Sequence, residues 1–252
     1  MRKIILIAVA VFLALPIAAF AGEIIVAGAA NAQFILEDLK AAFAKETGID
    51  VKTIIGSSGA LAAQVENGAP FDVFLSADMK YPNALYKDGF SKQAPEVYAY
   101  GVLVLWTMKS SDLSQGINVL KDAGVGKIAL ADPRLAPYGR EAVNVLEYYK
   151  LYAPLQTKLV FGQSISQVNQ FVTTGAADFG FTAKSVVLAP KIKGHGKWIE
   201  LDPHAYRPIA QGVIVLKYAK LKNHFKEARE FYDFLFSARA REIFKKYGYQ
   251  LP

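Results

Sequence analysis

Two hydrophobic periods alternate along the first part of the chain. Short runs rich in β-branched residues lie at 23–27, 49–55 and 72–75. Between them, at 32–46 and 58–67, apolar residues recur three and four positions apart. The first pattern is typical of buried strands and the second of amphipathic helices. Strands that alternate with helices in this way predict a parallel sheet with crossover helices.

The alternation starts again near residue 98. We expect strands over 98–108, 127–131, 158–161, 178–182 and 209–217, and helices over 140–149, 166–173 and, as one or two helices, 223–247. The pattern predicts an α/β protein of two lobes, each a mainly parallel sheet flanked by helices, with a ligand cleft between them. The chain must leave the first lobe and return to end there. We therefore place the first lobe at 22–100 plus 210–252 and the second at 101–209.

The N-terminus carries an export pattern. Arg2 and Lys3 precede an apolar run at 4–20, and Ala19 and Ala21 form an A-x-A-like site. A charged start, an apolar stretch and small residues at its end are typical of a secretory signal peptide. A membrane anchor is the alternative, but an apolar run of about 17 residues is at the short limit for a span. We predict a cleaved signal at 1–21 and a periplasmic, soluble mature protein.

Composition narrows the possible chemistry. The chain has no cysteine, which excludes disulfides, thiolate nucleophiles and cysteine-ligated metals. Without the signal, the 29 Lys and Arg residues fall to 27 against 22 Asp and Glu, a net charge of +5. These cations are scattered, so we expect no nucleic-acid partner. His195, His204 and His224 lack the spacing of a metal site, so we predict no cofactor.

Four strand-to-helix turns, at 28–31, 56–59, 132–139 and 162–166, are the first places to search for a ligand site. Ligands of open α/β sheets bind at the carboxyl ends of the strands. Each turn places small or hydroxyl residues at a helix N-terminus, where free N–H groups and the helix dipole favour an anion. The alternative is that the polar residues of these turns are ordinary helix caps. Those residues are Asn31, Ser57, Ser58 and Ser164.

Several segments resemble one family in order along the chain. They are residues 25–31 (IVAGAAN), 56–62 (GSSGALA), 68–78 (GAPFDVFLSAD), 132–139 (DPRLAPYG) and 240–249 (AREIFKKYGY). The most specific is 68–78. With these segments, nearly the whole chain beyond residue 21 resembles the periplasmic molybdate-binding proteins of ABC importers, the ModA family. The resemblance implies the two-lobed fold of type II-like periplasmic binding proteins.

The resemblance also implies the site. In this family neutral donors in the interlobe cleft bind the oxyanion. The matching positions of this chain are Ala30, Asn31, Ser58, Tyr138 and Ile165. Many members carry Ser or Thr at Ala30, so here only a backbone donor remains and Asn31 is expected to add its side chain.

A second departure concerns a tyrosine that some members of the family use in the site. Some members use a tyrosine where this chain has Ala183, and this sequence resembles those that use Tyr138 instead.

The implied function is capture of molybdate or tungstate and delivery to an ABC permease in the inner membrane, by a monomer. Apart from Asp132, none of the four turns places a carboxylate beside its donors. A site of donors alone suits an unprotonated dianion better than hydrogen phosphate, whose O–H needs an acceptor. Two alternatives stay open. One is binding of sulfate or another tetrahedral oxyanion; the other is an exported hydrolase on the same fold, although no histidine accompanies the cleft serines.

Overall fold

The computed structural model describes residues 22–252, so the predicted signal peptide at 1–21 lies outside the described residues. In chain order, strands β1 to β10 are Glu23–Ala29, Asp50–Gly56, Val73–Leu75, Glu96–Gly101, Leu103–Thr107, Ile128–Ala131, Leu159–Gly162, Phe179–Ala183, Lys197–Glu200 and Ile209–Val215. Helices α1 to α10 are Gln33–Thr47, Ser58–Glu66, Lys80–Lys87, Pro137–Tyr148, Tyr152–Leu155, Ile165–Thr173, Lys184–Val187, Lys217–Leu221, Phe225–Phe234 and Ala238–Lys246. Between residues 22 and 252, no helix is both long and apolar enough to cross a membrane.

The strands form two five-stranded sheets. The first has the order β2-β1-β3-β10-β4 and the second the order β7-β6-β8-β5-β9. In the first sheet β1 pairs in parallel with β2 and β3, whereas β10 pairs antiparallel with both β3 and β4. In the second sheet β5 is likewise antiparallel to both of its neighbours. Each sheet therefore has four strands in one direction and one reversed strand, which confirms the α/β, mainly parallel prediction.

The reversed strands follow the two places where the chain changes sheets. Strands β4 and β5 are separated by a single residue, Val102, and β10 begins directly after Pro208. The prediction of one strand over 98–108 is therefore wrong, because the segment contributes to both sheets. Both halves of the segment are largely buried, so its apolar run continues through the crossing and no periodicity marks the break.

Helices cover both faces of the first sheet. On one face α1, α9 and α10 pack with the strands in a cluster that includes Ile24, Phe43, Phe231 and Phe244. On the other face α2 and α3 pack around Phe74. The C-terminal helices thus complete the first sheet's core although they follow the second sheet in sequence.

The second sheet has its own core, which reaches the first. Its cluster contains residues of β5, β6 and β8 together with Ala29, Ala30 and Ala77, which stand where strands of the first sheet end. The apolar contact between the two sheets is therefore made at the carboxyl ends of the first sheet's strands, where a ligand site is expected.

Local sequence signals set the helix ends beside this region. Gly48 ends α1 in the left-handed conformation, with a φ of 77°. Pro137 is the first residue of α4, where its missing N–H costs no hydrogen bond. Helix α4 therefore begins three residues before the predicted start at 140, and Tyr138 lies in its first turn. The short strand β9, which has an exposed charged residue at each end, was not predicted, because its four residues show no clear period.

Candidate functional site

The four predicted turns meet at one small cavity. Its lining residues are Ala29, Ala30, Asn31, Ser57, Ser58, Ala77, Ala136, Pro137, Tyr138 and Ile165. All five predicted site residues are therefore brought together, from segments up to 135 positions apart in sequence. The residues that line the cavity are almost wholly inaccessible to solvent. A larger and more open surface groove between α1 and α10 contains none of these residues.

Helix N-termini surround the cavity. A short 3-10 helix at Ala30–Ala32 begins there, as do α2, α4 and α6. The first N–H groups of each helix have no intrahelical acceptor and carry the positive end of the dipole. Among the described residues that line the cavity, none has a charged side chain. An anion would therefore be held by N–H and O–H donors rather than by Lys or Arg.

Ser58 has its hydroxyl oriented by the backbone. Its Oγ accepts a hydrogen bond from the Ala77 N–H at 2.9 Å, and the side chain is fully buried. Because the oxygen already accepts one bond, its own proton remains to be donated to a ligand. Ala77 is the penultimate residue of the specific segment 68–78, so the structure connects that motif to the cavity.

Tyr138 is oriented in a similar way. Its hydroxyl oxygen accepts a hydrogen bond from Gln211 Nε2 at 3.1 Å. Burial, reinforced by the neighbouring Tyr249, raises the pKa of Tyr138 well above its usual value. The phenol is therefore a neutral donor throughout the physiological pH range.

Asn31 differs from the expectation. Its side-chain Nδ2 donates to Gln211 Oε1 at 3.0 Å and to the Tyr249 hydroxyl at 3.1 Å. An amide NH₂ group has two hydrogens, and both are committed inside the protein. In this arrangement the Asn31 side chain has no hydrogen left with which to replace the hydroxyl missing at Ala30. At this turn the backbone remains as the donor.

The helix-cap alternative finds little support. Ser57 and Ser164 occupy the N-cap positions of α2 and α6 in extended conformations, yet neither side chain makes a capping hydrogen bond. Near the start of α3, the Asp78 carboxylate accepts a hydrogen bond from the Tyr81 N–H at 3.4 Å. Ala183 is fully buried on β8 and is not among the lining residues.

Sequence reasoning missed the residues behind the cavity. Gln211, Tyr98 and Tyr249 form a buried network with Asn31 and Tyr138. They lie on β10, on β4 and after α10, where no turn motif marks them. A buried-strand pattern that contains a glutamine, as β10 does, is the one local signal that could have identified Gln211.

Direct contacts close the rim of the cavity. Arg140 of α4 forms an ion pair with Asp78, and the Tyr81 hydroxyl donates to the Arg134 carbonyl at 3.0 Å. The Gly59 N–H of α2 donates to the Leu135 carbonyl at 2.9 Å. These bonds join elements of the first sheet to the loop and helix that follow β6.

The opposite side of the cavity is also bridged. Ser166 Oγ donates to Gln33 Oε1 at 2.6 Å, and Ser185 Oγ donates to the Asn31 carbonyl at 2.8 Å. Polar contacts therefore join elements of the two sheets on both sides of the cavity.

Comparison with known proteins agrees with this geometry. Residues 24–250 match the family described as bacterial extracellular solute-binding protein. The chain is 37% identical to the molybdate-binding protein ModA of Rhodobacter capsulatus, over 96% of this chain and 94% of that protein. It is 39% identical to ModA of Azotobacter vinelandii, over 93% and 92%.

A solved structure shows the same fold at similar identity. The periplasmic molybdate-binding protein of Azotobacter vinelandii superposes with a TM-score of 0.85 at 36% identity, covering 91% of this chain and 99% of that one. These relatives are binding proteins, so the exported hydrolase is not supported. The chain belongs to the bacterial extracellular solute-binding proteins, in the ModA family.

Proposed function

We propose that this protein captures molybdate or tungstate as transported cargo, not as a cofactor, and delivers it to an ABC permease. Relatives that match nearly the whole chain are named for molybdate binding. The observation that carries the proposal is the donor-only cavity. The Ser58 and Tyr138 oxygens each accept a bond from a protein N–H, so their protons are left for the ligand.

The proposed ligand contacts combine backbone and side chains. The N–H groups of Ala30, Asn31 and Ile165 and the hydroxyls of Ser58 and Tyr138 would donate to the oxyanion. Molybdate and tungstate are fully ionised dianions at neutral pH and only accept hydrogen bonds. Hydrogen phosphate would bring a proton to a site whose lining offers no carboxylate.

The architecture supports a two-lobed mechanism. We infer that residues 22–100 with 210–252 form one lobe and 101–209 the other, hinged at Val102 and Pro208. Tyr138 and Ile165 would then face Ala30, Asn31 and Ser58 across the cleft. A ligand that needs donors from both lobes favours the closed form. We place the protein in the periplasm, as a monomer released by signal cleavage, with its permease in the inner membrane.

Titration calorimetry on the purified protein lacking residues 1–21 tests the ligand. We expect one site per chain for molybdate and for tungstate, with sulfate and phosphate much weaker. At about 100 times its dissociation constant, a ligand adds about 2.7 kcal/mol of stability, so the same ranking should appear in thermal melts. Stronger binding of phosphate or sulfate than of molybdate would contradict the proposal.

A further inference from the structure

We propose that Gln211 is a positioning residue that determines specificity: it directs the Tyr138 proton into the cavity, so that the site accepts only oxyanions without a proton. This inference rests on the proposed function and deepens it. Gln211 lies on β10 of the first sheet and is fully buried. It stands behind the cavity and is not itself part of the lining.

Every polar atom of the Gln211 amide has a protein partner. Its Oε1 accepts from the Tyr98 hydroxyl at 2.7 Å and from Asn31 Nδ2 at 3.0 Å. Its Nε2 donates to the Tyr138 hydroxyl oxygen at 3.1 Å. The amide is thus held with its acceptor towards the first sheet and its donor towards α4.

The direction of this amide follows from a backbone group. The Asn31 carbonyl can only accept, and it receives the Ser185 hydroxyl at 2.8 Å and the Tyr249 hydroxyl at 3.4 Å. The Tyr249 oxygen then accepts from Asn31 Nδ2 at 3.1 Å, which fixes the Asn31 amide. The other Nδ2 hydrogen points to Gln211, and this arrangement places the Gln211 oxygen towards Asn31 and its nitrogen towards Tyr138.

The direction of the hydrogen bonds in this network determines whether Tyr138 is a donor or an acceptor towards a ligand in the cavity. With its oxygen accepting from Gln211, Tyr138 has its proton available for the ligand, as Ser58 has beside Ala77. A bare dianion satisfies both donors. The O–H of a protonated oxyanion would face a protein donor and find no acceptor. A buried donor without an acceptor makes the binding free energy less favourable, so such a ligand binds more weakly.

The backbone beside the network leaves room for this bond. A Cβ on Gly101, the last residue of β4, would lie 2.0 Å from the Tyr138 hydroxyl oxygen and 2.5 Å from Gln211 Nε2. Any side chain at this position would therefore collide with both partners. The absence of a side chain at Gly101 is an independent indication that the Gln211–Tyr138 contact is built into the site.

The test replaces the donor with an acceptor. In Gln211→Glu, titrated above the pKa that burial raises for the new carboxyl, the carboxylate accepts from Tyr138 and turns the proton away from the cavity. We expect molybdate affinity to fall at least about tenfold, the loss of one hydrogen bond to a charged ligand. A protonated glutamic acid has one acceptor and one donor oxygen, as glutamine has, so affinity should recover as the pH falls to about 5.5.

The pH response can be assigned to residue 211. The titratable side chains facing it are Tyr98, Tyr138 and Tyr249, and burial raises the pKa of each, so none changes charge in this range. Wild-type affinity should accordingly stay flat between pH 5.5 and 8. A flat profile of weakened binding in Gln211→Glu, with no recovery, would overturn the proposal.

Repulsion between the new carboxylate and the dianion would give molybdate affinity the same pH dependence as reversal of the Tyr138 proton. A double-mutant cycle separates these two causes of weaker binding. Repulsion persists when Tyr138→Phe removes the hydroxyl, whereas proton reversal requires it. We expect Gln211→Glu to cost much less in the Tyr138→Phe background than in the wild type. Equal costs in the two backgrounds would contradict the proposal.

Gln211→Met supplies an uncharged second variant. It frees the Tyr138 hydroxyl to turn either way, so the preference for molybdate over inorganic phosphate should narrow. An unchanged preference would refute the specificity role.

Titrations of the wild type distinguish failure of the proposed function from failure of this inference alone. If the wild type binds neither molybdate nor tungstate, the proposed function fails and this inference with it; if it binds and the variants behave as wild type, only the inference fails.

Discussion

Single hydrogen bonds decide what the cavity can hold. Ser58 and Tyr138 are hydroxyl residues that could donate or accept, and protein N–H groups leave each with a proton to give. Such fixed donors are stronger towards an anion in a buried setting than in water, because the surrounding medium screens them less. These individual donors therefore determine which charge and protonation state a bound ligand can have.

Removal of the Ser58 hydroxyl should weaken the site without unfolding the protein. Ser58→Ala deletes one hydrogen bond to a charged ligand, worth about 1.5–3 kcal/mol, or about 10- to 150-fold in affinity. Titration calorimetry with molybdate measures the change. Ser91→Ala is a matched control, since Ser91 is also buried but donates to the Gln93 carbonyl outside the cavity. Equal affinities in the two variants would exclude Ser58 from the site.

Binding should be insensitive to alkaline pH. The pKa of Tyr138 is raised by burial, so its proton is retained in the folded protein above the pH at which an exposed tyrosine ionises. Since the neutral phenol is the donor, molybdate affinity should stay constant from pH 6.5 to 9. Titrations across this range measure it, and a loss of affinity centred near pH 8 would show that another group holds the ligand.

At the scale of elements, the starts of helices carry the site. Helix α4 approaches the end of β6 so closely that a Cβ on Gly139 would lie 2.0 Å from the Ala131 carbonyl oxygen. That approach brings Pro137 and Tyr138 to the cavity. A glycine directly after the tyrosine is therefore a packing requirement of the helix that presents the donor.

Gly139→Ala should displace the first turn of α4. The clash is with backbone, which cannot move aside as a flexible side chain can, so we expect a lower melting temperature together with weaker molybdate binding. Gly124→Ala is a suitable control, because a Cβ there meets no atom within 4 Å. Wild-type stability and affinity in Gly139→Ala would show that α4 can shift without disturbing Tyr138.

Much of this arrangement could be predicted from local pattern. Strand-to-helix turns with small and hydroxyl residues indicated four of the five segments that line the cavity, because helix N-termini and strand ends have short-range signatures; the fifth segment contributes Ala77. The sheet change at Val102 had none, since residues on both sides are buried. The role of Asn31 was missed for a different reason. Its partners Gln211 and Tyr249 lie 180 and 218 positions away, and only the fold brings them together.

At the scale of the whole molecule, the closed arrangement depends on few polar bridges. The Arg140–Asp78 pair is partly buried, with side chains 30% and 14% exposed, so salt screens it less than a surface pair. Tyr81 and Gly59 add bonds to the same loop on the far side of the cleft. None of these bridging residues lines the cavity, so a substitution among them can weaken closure without removing a ligand contact.

Ligand binding should shift the molecule towards this closed form. Small-angle scattering should show a smaller radius of gyration with saturating molybdate than without it, since only the closed form brings Tyr138 to Ser58. Asp78→Asn should reduce the compaction at a given occupancy by weakening the rim. An unchanged profile in the wild type, with binding confirmed by calorimetry, would place the whole site on one lobe.

The inaccessibility of the cavity has a kinetic consequence. Because Ser58 and Tyr138 are at most 1% exposed, we expect an anion bound to them to leave only when the rim bonds break. Its dissociation rate therefore cannot exceed the rate at which the rim opens. Two anions of very different affinity would share this upper limit, and a permease that pulls the rim apart would shorten the residence time of either without touching the cargo.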